Sequence, residues 1–301
     1  MEKIIIDTDP GVDDALAIYF AIKSRINILA LTTTFGNSTV QQTTRNASLL
    51  LRLLDKNIPI YPGADGPIQG KPTYAMSHGK NAFGDFTIPF ITKNIRKARA
   101  SAYLKRTLSR VNNITLVCLG PLTNLAMTLK KDPDLAKNVT QIISLSCVFN
   151  EKGNITAYAE FNTYNDPCAL QILLKMKCPI VIIPANICRN VIFGKNEINS
   201  FKDTKKKQLF KQLLDTYIQY YISDPIFGGF KGGVMYDLLA IGYLLKPSLF
   251  LTKPVCITVN TSFSKIRGLT TYKVSNSSNI QLVSEVDGEE FKRLFFNTIN
   301  Q

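Results

Sequence analysis

The sequence predicts an α/β protein whose mainly parallel central sheet carries helices on both faces, with extra helices and strands toward its C-terminus. Three observations lead there. Strand-like apolar runs alternate with segments of helical periodicity through the first 190 residues, the signature of βαβ units. Runs such as KIIIDT (3–8) read as strands buried on both faces, as parallel sheets require. Finally, 45% hydrophobic against 19% charged residues over 301 positions is a globular composition with material for a large core. A chain of this length suits one elaborated α/β unit, and neither a Pro/Ser-rich linker nor a fixed-period repeat divides it. Residues 1–301 are therefore expected to form a single domain.

The elements follow in order. KIIIDT leads into a helix over VDDALAIYFAIKS (12–24). INILALTTTF (26–35) is a second strand, followed by a helix through 39–57, and IPIYPG (58–63) is a short third strand. A Gly-, Pro- and Asn-bearing irregular segment (63–95) precedes a helix over about 98–111. NITLVCLG (113–120) is a strand, LTNLAMTLKK (122–131) helical, VTQIISLSCVF (139–149) a strand, DPCALQILLKM (166–176) helical and CPIVIIPAN (178–186) a strand. Past residue 190 helices are expected near 203–222 and 235–246. Strands follow at VCITVNT (255–261), GLTTYKV (268–274) and NIQLVSEV (279–286), and a last helix begins near Asp287.

Composition also excludes classes. The first 30 residues lack the layout of a secretory signal, and no apolar run approaches the roughly 18 residues of a membrane span. The expected location is the cytoplasm, without membrane association. Six cysteines without a CxxC pair read as reduced, partly buried thiols, and a single histidine, His78, argues against a structural zinc site. A formal charge of +14 suggests nucleic acid, but the basic residues concentrate in KNIRKARASAYLKR (93–106) and KDTKKK (202–207). Neither run interleaves aromatics regularly, so both read as solvated surface and no nucleic-acid partner is expected.

The chemistry concentrates in DTDPGVDD (7–14), four carboxylates in eight positions at a strand-to-helix junction. Two unit charges about 4 Å apart repel by roughly 4 kcal/mol near a protein surface. Asp9 before Pro10 looks like a helix N-cap, with Asp13 and Asp14 in the first turn. The helix dipole returns only about 0.3–1 kcal/mol per anion, too little for four. Asp7 and Asp9, two apart, project to the same side if the strand continues through them. Ligands in open α/β sheets bind at the carboxyl ends of strands, so a hard cation with oxygen ligands, calcium or magnesium, explains the crowding economically.

With these residues in view, the chain resembles the inosine-uridine-preferring nucleoside hydrolase family. DTDPGVDDALAI is similar to that family's N-terminal signature, and FGN (35–37), LGPLTNLA (119–126), GNITAYAEFN (153–162) with DPCALQ (166–171), and Asp237 in DLLAIGYLLKP follow in the family's order. The correspondence spans residues 3 to about 250. The resemblance implies a Rossmann-like fold and a calcium-dependent N-ribohydrolase that turns a nucleoside into free base and ribose, assembled as a homodimer or homotetramer. Carried onto this chain, the implied calcium ligands are Asp9, Asp14, the backbone carbonyl of Leu119, and Asp237. Asp9 is also the implied base for a calcium-bound water. Asp13, Asn37, Asn154, Glu160 and Asn162 are the implied ribose contacts, and His78 belongs to a loop closing over the nucleoside. Glu160 and Asn162, two apart, are expected on one side of an extended segment. Asp7 is expected to orient the other acids from behind.

Three departures fall on the base-recognition end. Tyr236 stands where many relatives have a histidine before the late aspartate, and is the candidate on the leaving-group side. Ser146-Cys147-Val148-Phe149 replaces a glycine-rich stretch after the central strand, and Asn81-Ala82 replaces an acidic-glycine pair. Two rival functions remain at this level. One is a nucleoside- or ribose-binding protein that has lost turnover. The other is a haloacid-dehalogenase-type phosphatase using Asp7 as nucleophile, for which a second acidic motif downstream is not evident.

Overall fold

A computed structural model describes residues 2–79, 81–84, 92–223 and 229–301. The chain begins β1 (Lys3–Thr8), α1 (Val12–Lys23), β2 (Asn27–Thr33), α2 (Val40–Leu53) and β3 (Ile60–Pro62). It continues α3 (Ala100–Leu108), β4 (Ile114–Cys118), α4 (Thr123–Lys131), β5 (Val139–Leu145), α5 (Phe161–Asn165), α6 (Pro167–Leu173) and β6 (Ile180–Ile183). The remainder is α7 (Ala185–Cys188), β7 (Ile192–Phe193), α8 (Lys195–Asn199), α9 (Thr204–Ser223), β8 (Gly233–Val234), α10 (Leu238–Leu245), β9 (Phe250–Val259), β10 (Thr270–Val274), β11 (Ile280–Val286) and α11 (Gly288–Ile299).

Nine strands form one sheet in the order β10-β9-β11-β6-β5-β4-β1-β2-β3, and β7 pairs with β8 apart from it. Pairing is parallel from β3 through β11, and β9 alone runs against the other strands, pairing antiparallel with both β11 and β10. The predicted α/β class, with a mostly parallel sheet and a C-terminal elaboration, is therefore what the chain adopts. The first six strands lie in the order 3-2-1-4-5-6, so the chain reverses direction across the sheet between β1 and β4. That switch is where such sheets open a crevice at their carboxyl ends.

The strand side chains divide by a period of two between two apolar layers. Ile4, Ile6, Leu31, Val117, Ile143 and Val181 enter the layer shared with α1, α2, α9, α10 and α11. Ile5, Ala30, Leu116, Ile142 and Ile182 enter the layer beneath α3, α4 and α6. Helix α1 is buried continuously from Val12 to Ala21, as a helix apolar on all sides must be. It lies among α9, α10 and α11. Its acidic first turn is thus carried into the interior by the helix's own apolar length.

Several boundaries differ from the sequence reading. Strand β9 starts at Phe250 rather than Val255, because Phe250–Pro254 pairs with β11. Strand β5 stops at Leu145, since Cys147 takes φ of +72° and cannot continue a strand. The short elements α7, β7, α8 and β8 were not anticipated; segments of two to five residues carry too little periodicity. Of the irregular segment 63–95, residues 80 and 85–91 lie outside the described residues. The six cysteines are free thiols, four of them buried. Among the described residues no helix is long and apolar enough to cross a membrane.

Gly242 shows how closely α10 and α11 approach: a Cβ there would stand 2.1 Å from Cε2 of Phe291. Phe291 is fully buried against Phe20 and Phe250, so it cannot withdraw. Gly242→Ala is expected to lower the unfolding free energy by about 1–3 kcal/mol through overpacking, read as a lower urea midpoint at unchanged slope.

Candidate active site

The carboxyl ends of β1 and β4 surround a cavity of about 380 Å³. Its lining includes Asp9, Asp13, Asn37, His78, Leu119, Asn154, Glu160, Asn162, Tyr236 and Asp237, so ten of the eleven sequence candidates outside the strand itself converge here. The eleventh, Asp14, lies directly beneath them and is fully buried. Among the described residues lining the cavity there is no lysine or arginine, although the chain carries a formal charge of +14.

The turn after β1 is built differently from the expectation. Strand β1 ends at Thr8, so Asp9 lies beyond it and the alternation expected for Asp7 and Asp9 does not apply. Nor is Asp9 the N-cap. That place belongs to Gly11, whose N–H donates to Asp14 Oδ2 at 2.9 Å. Asp14 at the third helical position does the capping, which releases the Asp9 carboxylate to accept the Asn37 N–H at 2.7 Å. The Asn37 side-chain amide donates to the Asp9 carbonyl (3.1 Å) and to Asp14 Oδ2 (3.0 Å), tying the FGN turn to the acids. Thr8 donates its hydroxyl to Asp14 Oδ1.

Two glycines explain the spacing of the motifs. A Cβ on Gly36 would lie 2.1 Å from Asp9 Oδ2, and one on Gly120 would lie 2.4 Å from Asp9 Oδ1. The turns after β2 and β4 therefore close on both oxygens of Asp9 and admit no side chain. Behind it, Asp7 Oδ1 accepts from Thr32 and from the Asn124 amide (2.8 Å), while Asp7 Oδ2 is buried without a hydrogen-bond partner.

Burial sets the electrostatics. It raises Asp7 to about 6 and Asp13 to about 7, the latter with help from the Asp14 charge. It also raises Asp14, and lifts Asp9 and Asp237 well above the ordinary carboxylate range, with repulsion among these acids adding to the effect. Ligand oxygens of Asp13, Asp14 and Asp237 lie within 4.8 Å of one another. A buried all-oxygen donor set with no internal cation fits a hard divalent metal. Asp9 is not in that group of three; the Leu119 carbonyl accepts the Asn162 amide at 2.6 Å.

Glu160 and Asn162 do not share an extended segment, as the sequence reading expected. Glu160 is the N-cap of α5, and the helical turn places Asn162 inside that helix. The Glu160 carboxylate accepts from the N–H groups of Asn162 (2.7 Å) and Thr163 (2.8 Å) and from the Thr163 hydroxyl (2.9 Å). Burial nevertheless raises it to about 7. Asn162 spans the ends of β4 and β5, donating to the Leu119 and Leu145 carbonyls. Asn154 Oδ1 accepts the Phe161 N–H at 2.8 Å.

His78 accepts the Val12 N–H on Nδ1 at 3.1 Å, which puts its proton on Nε2. Burial lowers its pKa to about 3, so at 3.8 Å from Asp13 it supplies no positive charge to the acids. The opposite wall is aromatic: Tyr217, Tyr220 and Tyr221 of α9 join Tyr236. Tyr217 donates to the Val234 carbonyl (2.8 Å) and lies 3.2 Å from Asp13 Oδ2, and burial holds Tyr236 protonated, with its pKa near 12. The sequence reading missed these three tyrosines. Their spacing in TYIQYYI, three and four apart, puts them on one helix face and was the available signal. Of Ser146–Phe149, the departure from the glycine-rich stretch, no residue lines the cavity; all four are buried behind its wall.

Because these acids bind protons more tightly folded than unfolded, stability is lost as pH rises from the unfolded carboxylate range near 4 through about 7. In chelator, the melting temperature is expected to fall steadily from pH 5 to pH 8, and a saturating divalent cation to flatten that slope. A melting temperature that climbs with pH in chelator contradicts this account.

Residues 4–293 match the family model described as inosine-uridine preferring nucleoside hydrolase. Uridine nucleosidase 1 of Arabidopsis thaliana is 32% identical over 268 residues, 86% of this chain and 79% of the relative. A plant nucleoside hydrolase structure superposes with a TM-score of 0.92 at 29% identity, covering 99% of both chains. A purine-preferring ribonucleoside hydrolase from Gardnerella vaginalis superposes with a TM-score of 0.90 at 27% identity, covering 99% of this chain and 98% of the other.

Proposed function

The chain belongs to the inosine-uridine preferring nucleoside hydrolase family and is a hydrolase of N-glycosyl compounds; on that premise we propose that it cleaves ribonucleosides to free base and ribose with calcium as its metal. The observation that supports this most is the buried acid cluster open to a cavity that, among the described residues, no lysine or arginine lines. Such a cavity suits an uncharged nucleoside, with a cation met by the acids. Family membership removes the phosphatase alternative.

Asp9, Asp14, Asp237 and the Leu119 carbonyl are the ligands in this reading. Asp13, whose carboxylate lies close to those of Asp14 and Asp237, holds a sugar hydroxyl. Calcium bound there supplies a lowered pKa for water and charge to offset the acids. Asp9 takes a proton from the water that attacks C1′. Its carboxylate is suited to this because the Asn37 N–H fixes one oxygen, while burial and its acidic neighbours raise its proton affinity. The C1′–N bond breaks with its electron pair going to the base, and positive charge develops on the ribose ring as in glycoside hydrolysis. Asp13, Asn37, Asn154, Glu160 and Asn162 hold the ribose hydroxyls, and Asp7 braces the turn from behind. Neutral His78 offers its Nε2 proton to the sugar. The tyrosine wall stacks on the base, and Tyr236, protonated across the working pH range, donates to the departing nitrogen.

The test is release of reducing sugar from purine and pyrimidine ribonucleosides in calcium and in chelator. Release is expected only with calcium, and Asp9→Asn is expected to lower kcat by about 10²–10⁴. Absence of release from every nucleoside by folded, calcium-bound protein overturns the reading and favours a binding protein.

Tyr236→Phe is expected to slow nucleosides by about tenfold or more while sparing 4-nitrophenyl riboside, whose leaving group needs no proton. Equal losses on both substrates would remove Tyr236 from the leaving-group side.

A further inference from the structure

The hydrogen bonds around Cys147 run in one direction. Strand β5 leaves its ladder after the Ser146 N–H donates to the Ile183 carbonyl at 3.3 Å. At the next residue φ is +72°, and the Cys147 N–H turns to the Thr163 hydroxyl oxygen, 2.8 Å away. An amide only donates, so the Thr163 hydroxyl must accept here and send its own proton onward. That proton goes to Glu160 Oε2, at 2.9 Å. Thr163 and Glu160 are 1% and 2% exposed, so water does not substitute for either contact.

Beside this chain, the carboxylate accepts the two main-chain N–H groups of its own cap, one to each oxygen. Those donors lie on the same helical turn and hold the group from one side. The hydroxyl adds a third donor from α5, its direction set by the Cys147 N–H in the turn beyond β5. We propose that Thr163, oriented by the main-chain N–H of Cys147, is a positioning residue that fixes the Glu160 carboxylate toward the sugar. This rests on the nucleoside hydrolase reading for the identity of what Glu160 holds, but not for the orientation itself. It also gives the Ser146–Phe149 stretch a role: its backbone turns left-handed at Cys147, and the amide there is put to use.

Thr163→Val keeps the shape of the side chain and removes the hydroxyl, so the Cys147 N–H loses that acceptor and Glu160 loses that donor. Thr163→Ser restores the hydroxyl. The experiment measures kcat and KM on the best ribonucleoside, melting temperature, and crystal structures of both variants. Thr163→Val is expected to lower kcat/KM by about 10- to 100-fold, as loss of a hydrogen bond to a charged group does, and Thr163→Ser to recover most of it. The Glu160 carboxylate should be rotated in the Val structure and native in the Ser structure. A purely structural role predicts a lower melting temperature with kcat/KM unchanged at 25 °C, and that result overturns the proposal, as does an unmoved carboxylate in Thr163→Val. Should the unmodified protein release no sugar from any nucleoside, the functional reading fails while the two crystal structures still decide the positioning role.

Discussion

Burial of like charges governs this molecule. Asp9, Asp13, Asp14 and Asp237 crowd together at the ends of β1 and α10, each less than 5% exposed, and the one imidazole beside them is neutral. At roughly 4 kcal/mol for each adjacent pair, no helix dipole offsets the repulsion. The chain meets it partly with donors: Thr8, Gly11 and Asn37 toward Asp14, and Asn37 toward Asp9. The remainder is left to protons or to a cation. Stability therefore follows the protonation of these acids, and a cation bound among them would relieve the same repulsion.

The fold makes that crowding possible. Reversal of strand order between β1 and β4 leaves the ends of those strands uncovered by a crossover helix, so a cavity forms without a hole in the core. The continuous apolar length of α1 then drives its own acidic first turn inward. Hydrophobic burial thus holds the acids in place, against their mutual repulsion. Among the described residues, no lysine or arginine stands at the cavity wall.

How much of this was legible in the sequence follows from how local each cause is. The alternation of strands and helices, the acidic junction and the late Asp237 were readable because each is a short pattern with a physical meaning of its own. The cap was misread because Asp9-Pro10 has the local form of an N-cap, while the Asn37 N–H that claims Asp9 sits 28 residues away. Glu160 was placed in an extended segment for a similar reason: its role as a cap emerges only where the chain turns into α5. Asn124, which joins Asp7 to the turn after β3 through the Ala64 N–H, stands in the LGPLTNLA motif, but nothing local in that motif names either partner. The tyrosines of α9 were readable in spacing but not in partner.

The two ends of the cavity answer to different constraints. At the acid end every position is fixed by several contacts at once: Gly36 and Gly120 abut Asp9, and Asn37 binds both Asp9 and Asp14. A change there disturbs charge, packing and hydrogen bonding together, so little variation is compatible with function. Opposite the acids the wall is made of tyrosine rings, which exchange stacking area and hydroxyl partners without creating a buried charge. The named relatives include both a uridine nucleosidase and a purine-preferring hydrolase on one fold. A tightly constrained acid end facing a tolerant aromatic wall leaves room for such a difference in preference. Of this chain's departures, Tyr236 lies in that aromatic wall, whereas Cys147 lies behind the cavity with its N–H donating to the Thr163 hydroxyl that in turn donates to Glu160.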